Sequence, residues 1–383
     1  ILAKSFGIPT VVGIKDFDLI VRSGWDCIVN GDTGEVELSP SPEHLTSASQ
    51  LFEDRKLLKG RLVKEASEPV LTIDGKTISI LANLESPLEL DFFDSQTVDG
   101  VGLFRTEFIY MNHDGFPTVE EQEEAYKKVI NHFAPRRIVF RTLDVGNDKQ
   151  LDYLNLHSEN NPALGMRGVR LSLMWQDMFY FQLQALSNAS QIAPIDIMLP
   201  MVTSIEEVRE ARQIFREVVE NSSARLRFGV MIEVPSAVMS LPEIAEEVDF
   251  VSVGTNDLAQ YLFAVDRDNP WVSGLYQPYH PANLRVLRAI AKICHKAGVE
   301  VSVCGEMAAQ PEGALFLVGC GFDSLSLSPA LVPEIKAYIR ELDSRPLSQL
   351  AMRASNFSTS HDAFNLLSQE ATRTWAKLVA HEK

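Results

Sequence analysis

Short apolar runs alternate with amphipathic stretches through most of this chain. The runs are Ile78–Ala82, Gly100–Phe104, Arg137–Thr142, Ile195–Met201, Phe228–Val234, Phe250–Gly254, Val299–Cys304 and Leu325–Leu327. Continuous apolar runs of this length predict buried strands. Between them, apolar residues recur at helical spacing. Ser204-Ile205-Glu206-Glu207 is a capping box, and Val208, Ala211, Phe215 and Val218 follow on one face. Pro281 opens another helix, with Leu284, Leu287, Ala291 and Cys294 on one face and Gly298 just past its end. Eight strands alternating with helices over about 270 residues predict an α/β fold, the (β/α)8 TIM barrel, for which roughly 250 residues is typical. A doubly wound open sheet is the alternative. It is disfavoured because no Gly-rich dinucleotide fingerprint follows the first strand.

The chain ahead of the barrel reads differently. Residues 1–40 are rich in Gly, Val and Ile, and Cys27–Val29 and Glu35–Leu38 flank N-G-D-T-G, the pattern of a hairpin. From Ser41 to Glu65 the sequence turns polar and helix-favouring behind Pro42, which predicts a helical linker. Val70–Ile73, the turn Asp74-Gly75 and Thr77–Ala82 then form a hairpin leading into the first barrel strand. The expected division is therefore 1–40, 41–68 and 69–383. The sequence opens on Ile1, not Met, inside a segment that reads as structured, so a fragment of a longer protein is expected.

Composition narrows the function. Of 383 residues, 45% are apolar and 23% charged, as in a soluble globular protein, and no apolar run is long enough to span a bilayer. No secretory signal with a basic head precedes a small-residue cleavage site. The formal net charge of −17 argues against nucleic acid and anionic membranes as main partners. It leaves room for an anionic small molecule held by a few local cations. Cys27, Cys294, Cys304 and Cys320 form no C-x-x-C pair and no zinc spacing, which fits reduced thiols in the cytoplasm.

In such a barrel the active site lies at the carboxyl ends of the strands. The second run ends at Arg105, and the third at Arg141, with Asp144 and Lys149 beyond it. The loop behind the third carries Asn160, Arg167 and Arg170. The fifth run ends in Glu233, the sixth in Asn256 and Asp257 with Arg267 ten residues on, and the seventh in Cys304 and Glu306. Each residue alone has an ordinary explanation: an ion pair for an Arg, a helix cap for Asn256 or Asp257, a core position for Cys304. Together they place several like charges at one mouth, and buried like charges repel unless an anion joins them. The set reads as a site for a multiply anionic ligand with one divalent metal. Arg105, Arg141 and Arg267 can grip phosphate oxygens through planar, bidentate donors, and Lys149 adds a point charge. Glu233 and Asp257 supply hard oxygens for Mg2+, which takes the rest of its shell from substrate and water. Cys304 stands where a proton could pass to or from carbon.

The runs G-L-F-R-T-E-F-I-Y-M, R-T-L-D-V-G-N-D-K, E-N-N-P-A-L-G-M-R-G-V-R, G-V-M-I-E-V-P, V-G-T-N-D-L-A-Q-Y-L-F-A-V-D-R and V-C-G-E-M-A resemble Enzyme I of the bacterial phosphotransferase system, the phosphoenolpyruvate-protein phosphotransferases. L-P-M-V-T-S, E-V-P-S-A-V-M-S-L-P and His280–Ala282 resemble its nitrogen-regulatory branch. The resemblance implies a phosphoenolpyruvate-binding barrel that dimerises. Arg105, Arg141, Asn256 and Arg267 would hold the phosphoryl group, with Lys149 and Arg167 close by. Glu233 and Asp257 match the magnesium ligands, and Cys304 the residue that handles the proton at the methylene carbon as enolpyruvate becomes pyruvate. The phosphoryl group would pass to a histidine on a swivelling domain and then to an HPr-like carrier. In the family that histidine sits in a T-S-H motif just ahead of a segment that Ile1–Gly13 matches, and none of the eight histidines here stands in a matching context. Asn147 replaces a usual Gly and Met166 a usual Trp, and neither carries a group the chemistry needs. Pyruvate phosphate dikinase, phosphoenolpyruvate synthase and a non-catalytic phosphoenolpyruvate sensor are the competing readings. F-R-T-E-F-I-Y-M and L-D-V-G-N-D-K favour Enzyme I over the first two.

Overall fold

Each apolar run becomes a strand because its neighbours offer it hydrogen bonds on both sides and apolar cover on both faces. The computed structural model describes residues 8–31, 33–111, 113–146, 151–154, 159–220 and 226–381. Among these, eight parallel strands close into a barrel: β3 (Ser79–Leu84), β4 (Gly100–Arg105), β5 (Arg137–Arg141), β6 (Ile195–Leu199), β7 (Leu226–Ile232), β8 (Phe250–Val253), β9 (Glu300–Val303) and β10 (Ser324–Leu327). Each pairs with the next in sequence, and β10 closes on β3 through Ser324–Ser79 to Leu327–Ala82. The (β/α)8 expectation holds, and every predicted run carries one strand. The fifth is displaced toward the N-terminus, spanning Leu226–Ile232 rather than Phe228–Val234, because Glu233 and Val234 lie past the ladder.

Ahead of the barrel, β1 (Cys27–Asn30) and β2 (Glu35–Leu38) pair antiparallel as the hairpin the turn residues predict. Residues 1–7, part of the segment matched to the phosphohistidine-domain junction, lie outside the described residues. So do Asn147 and Lys149. Pro42–Glu65 is one helix, capped by the Ser41 hydroxyl, which accepts from His44 N at 3.2 Å. Its C-terminal end is fastened to the barrel. Leu62 is buried with Ala337 and Leu378, and the wholly buried Lys336 donates to Ala66 O and Asp99 Oδ1, both at 2.9 Å.

Two cores result. A large one fills the space between strands and helices, and a small one fills the barrel with Leu103, Val139, Met198, Met231, Phe250 and Cys304. The amino-terminal end of the barrel is plugged. The Phe250 ring lies under Arg137 and Arg227, whose guanidinium carbons are 5.0 and 5.2 Å from its centroid. Arg137 pairs with Asp196 at 2.7 Å and with Glu300, and Arg227 pairs with Glu300 at 2.8 Å. Gly229 makes room for that ring, since a Cβ there would lie 2.4 Å from Phe250 Cζ. The opposite end is left open.

Candidate functional site

The strand ends at the open end line a cavity of about 990 Å3. Arg105, Arg141, Arg167, Asn256, Asp257, Arg267 and Cys304 all border it. Glu233 is buried and is not part of the wall.

The deepest layer is a rigid ion network. Arg141, the last residue of β5, pairs with Glu107 and, at 3.0 Å, with Asp144. Asp144 also accepts from Arg167 through two bonds, Nη2 to Oδ2 at 2.9 Å and Nε to Oδ1 at 3.2 Å. Burial works against the charge on both arginines, yet Glu107 and Asp144 outweigh it and raise their pKa values above the ordinary range. Gly168 lets Arg167 approach: its φ is +57°, and a Cβ there would meet Met201 Cβ at 2.7 Å. Arg141 Nε finds no partner among the described residues, a donor left for a ligand.

Two carboxylates meet near β7 and β8. Glu233 Oε1 accepts from Met201 N at 2.7 Å, while Oε2 is buried without a partner among the described residues. Burial, then the negative charges of Asp257 and Asp144, push Glu233 up to about 8, against the pull of Arg141 and Arg167. Gly254 admits this carboxylate, since a Cβ there would lie 2.6 Å from Oε2. A buried, half-satisfied carboxylate under the charge of a second one is the donor set a divalent cation relieves, so these residues fit the Mg2+ expected from the sequence. Among the described residues no group of three or more His, Cys, Asp or Glu forms a metal site. Mg2+ here would therefore take further oxygens from substrate and water.

The helix Thr255–Phe263 begins directly after β8, with Gly254 as its N-cap and no side-chain capping bond. Asn256 and Asp257 are thus not consumed by capping. Asn256 Oδ1 accepts from Glu306 N at 3.2 Å, and Asp257 Oδ1 lies 3.4 Å from Arg267 Nη1. Ala264, left-handed at φ 52°, turns the chain so that Arg267 returns over the mouth. Cys304 follows β9 and is 7% exposed, with Sγ 3.6 Å from Val253 O. Burial pushes its thiol up to about 11.

Some wall residues escaped the sequence reading. No candidate was taken from the end of β3, yet Glu85 pairs with Arg105 there, and Asn83 donates to Cys304 O at 3.0 Å and Ser326 O at 3.2 Å. The strand-end rule applied to the first run would have found both. Tyr261, which donates to Ala163 O and so ties the 159–165 loop to the helix after β8, carries no such signal.

Residues 59–344 match the family described as PEP-utilising enzyme, PEP-binding domain. The chain belongs to that family. It is 39% identical over 374 residues to a phosphoenolpyruvate-protein phosphotransferase of Staphylococcus aureus, covering 96% of this chain and 65% of the relative. It is 38% identical to one of Listeria innocua, over the same shares. The chain thus spans less than two thirds of the length of these relatives. Among solved structures, an HpcH/HpaI aldolase from Desulfitobacterium hafniense aligns with a TM-score of 0.39 at 16% identity, covering 69% of this chain and 87% of the aldolase. No helix among the described residues is long and apolar enough to cross a membrane.

Proposed function

We propose that this chain is the phosphoenolpyruvate-binding part of a phosphoenolpyruvate-protein phosphotransferase, of the nitrogen-regulatory branch. The observation that carries the reading is the meeting of Arg105, Arg141, Arg167, Arg267 and Asn256 with Asp257 around one cavity in a chain of this family. Residues 1–40 are read as the end of a phosphohistidine domain, 41–68 as its linker and 69–383 as the barrel. The protein acts in the cytoplasm as a homodimer, and its phosphoryl group goes to an HPr-like carrier through a histidine on the swivelling domain.

Arg105, Arg141, Asn256 and Arg267 hold the phosphoryl oxygens, with Arg167 nearby. Glu233 and Asp257 would hold Mg2+, which when bound would offset the negative charge gathered on the phosphate. As the P–O bond to the enol breaks, the phosphoryl group moves to the histidine nitrogen and the bonding pair stays on the enolate oxygen. The methylene carbon of the enolate then takes a proton from the neutral Cys304 thiol, giving pyruvate, and solvent restores that proton. Positioning and charge stabilisation supply most of the acceleration in such transfers.

Calorimetric titration with phosphoenolpyruvate tests this. Binding is expected with Mg2+ and is expected to weaken at least tenfold, about 1.4 kcal/mol, in EDTA or in Glu233→Gln. No binding with Mg2+ present would overturn the reading, and binding indifferent to EDTA would remove the metal from it.

A further inference from the structure

Every arginine of the cavity already has a carboxylate partner, but the partners differ in what they can do. Asp144 and Glu107 are buried, so drawing either away from its arginine would strand a charge out of water. Asp257 belongs to the proposed metal pair. The Arg105–Glu85 pair is different: its side chains are 36% and 38% exposed, and it sits at the mouth. The Glu85 backbone is fixed, because Glu89 Oε1 accepts from Glu85 N at 2.7 Å and Ser86 N at 3.0 Å. Only the side chain needs to turn for Glu85 to leave Arg105, and it would turn into water.

We propose that Glu85 is a built-in competitor for Arg105, which the phosphate of an incoming ligand must displace and which returns when that phosphate departs. This rests on the cavity taking phosphoenolpyruvate. A monoanionic carboxylate arriving at Arg105 merely replaces one carboxylate with another. A phosphate brings up to two charges and several acceptor oxygens, so it wins the exchange. Glu85 thereby favours phosphate monoesters over monoanionic acids. It also neutralises Arg105 once the phosphoryl group has been handed on, which frees the site of residual anions. Glu85 acts through Arg105 and is a positioning residue.

The test uses Glu85→Gln, Arg105→Gln and the double variant in the full-length protein, with two readouts. The first needs no ligand: the rate at which phenylglyoxal modifies Arg105, followed by peptide mass. It should rise up to about fivefold in Glu85→Gln, the ceiling for an ion pair this exposed. The second is the dissociation constant for phosphoenolpyruvate with Mg2+. It should tighten by a similar factor in Glu85→Gln and not at all when the same change is made on Arg105→Gln. Unchanged or weaker binding in Glu85→Gln would overturn the competitor role. So would tightening that persists without Arg105, since Glu85 would then act through its general field. If the wild type binds no phosphoenolpyruvate, the functional reading falls. The modification rate then still decides whether Glu85 masks Arg105, and an unaltered rate overturns that too.

Discussion

Cys304 offers the sharpest test of the proposed chemistry, because a proton donor must hold its proton at working pH. The thiol lies among the apolar side chains that fill the barrel, and burial pushes it from an ordinary value of 9.0 up to about 11. The charge of Glu233 adds to the rise, while Ser252, Arg141 and Arg105 offset part of it. Two units correspond to about 2.7 kcal/mol in favour of the neutral thiol. At pH 7 the thiolate fraction is then on the order of one in ten thousand. The sign for stability follows. A folded-state pKa above the unfolded one means the folded protein holds the proton more tightly. The stabilisation is full below the unfolded value and is lost as pH rises toward about 11.

Thiolate is the species that alkylates, so the rate of iodoacetamide labelling at Cys304, resolved by peptide mass, reads the titration directly. Only the pH dependence matters, because limited access scales all rates alike. In the folded protein the logarithm of the rate should climb one unit per pH unit from 7 to 10 without levelling. In urea the same cysteine should level near the ordinary thiol value of 9.0. A plateau by pH 9 in the folded protein would refute the argument, since a thiol ionised that easily is a poor store for the proton the enolate needs.

Two further expectations concern the frame around the site. Asp144→Asn removes the buried charge shared by Arg141 and Arg167, leaving Glu107 to face Arg141 and taking from Arg167 the carboxylate it is bonded to, which should cost about 3–5 kcal/mol in urea unfolding; an unmoved midpoint would show that Asp144 does not anchor the network. Gly229→Ala forces a Cβ to within 2.4 Å of the Phe250 ring at the plugged end and should cost about 1–3 kcal/mol, read as a lower thermal midpoint. An unchanged midpoint would show the ring yielding without strain.

The barrel was legible because its signal is periodic and local: the runs are buried on both faces, and intervening helices such as Ile205–Val219 and Pro281–Ala297 carry their own apolar stripes. Strand ends were less so, since an apolar run such as Phe228–Val234 continues past its last ladder bond at Ile232. The chemistry of the rim was legible as a list of residue types at strand ends. The pairing within it was not. Arg141 meets Glu107 across 34 positions, and Arg137 meets Glu300 across 163, distances over which no sequence period operates. Glu85 lay within reach of the strand-end rule at the first run, but its pairing did not: Arg105 stands 20 positions on, at the end of β4.

The segment after β8 shows what the pairing adds to the residue list. By type, Gly254 to Asp257 could be no more than a strand breaker and a run of helix caps. Its glycine is instead required by the Glu233 carboxylate, and Asn256 and Asp257 each show one side-chain contact among the described residues, at 3.2 and 3.4 Å. The Arg141–Asp144–Arg167 network beneath is held by several bonds of 2.9–3.2 Å and is shut off from water. The two layers differ in what a ligand can afford to break. Exchanging Asn256, Asp257 or Arg267 from one partner to another gives up one weak bond each, and a phosphate with a cation replaces it with several stronger ones. Exchanging Asp144 would bury unpaired charge. A ligand entering this cavity should therefore reorganise the rim at Glu85, Asn256, Asp257 and Arg267 while the Asp144 layer stays fixed, which gives it a rigid floor under a layer that closes around it.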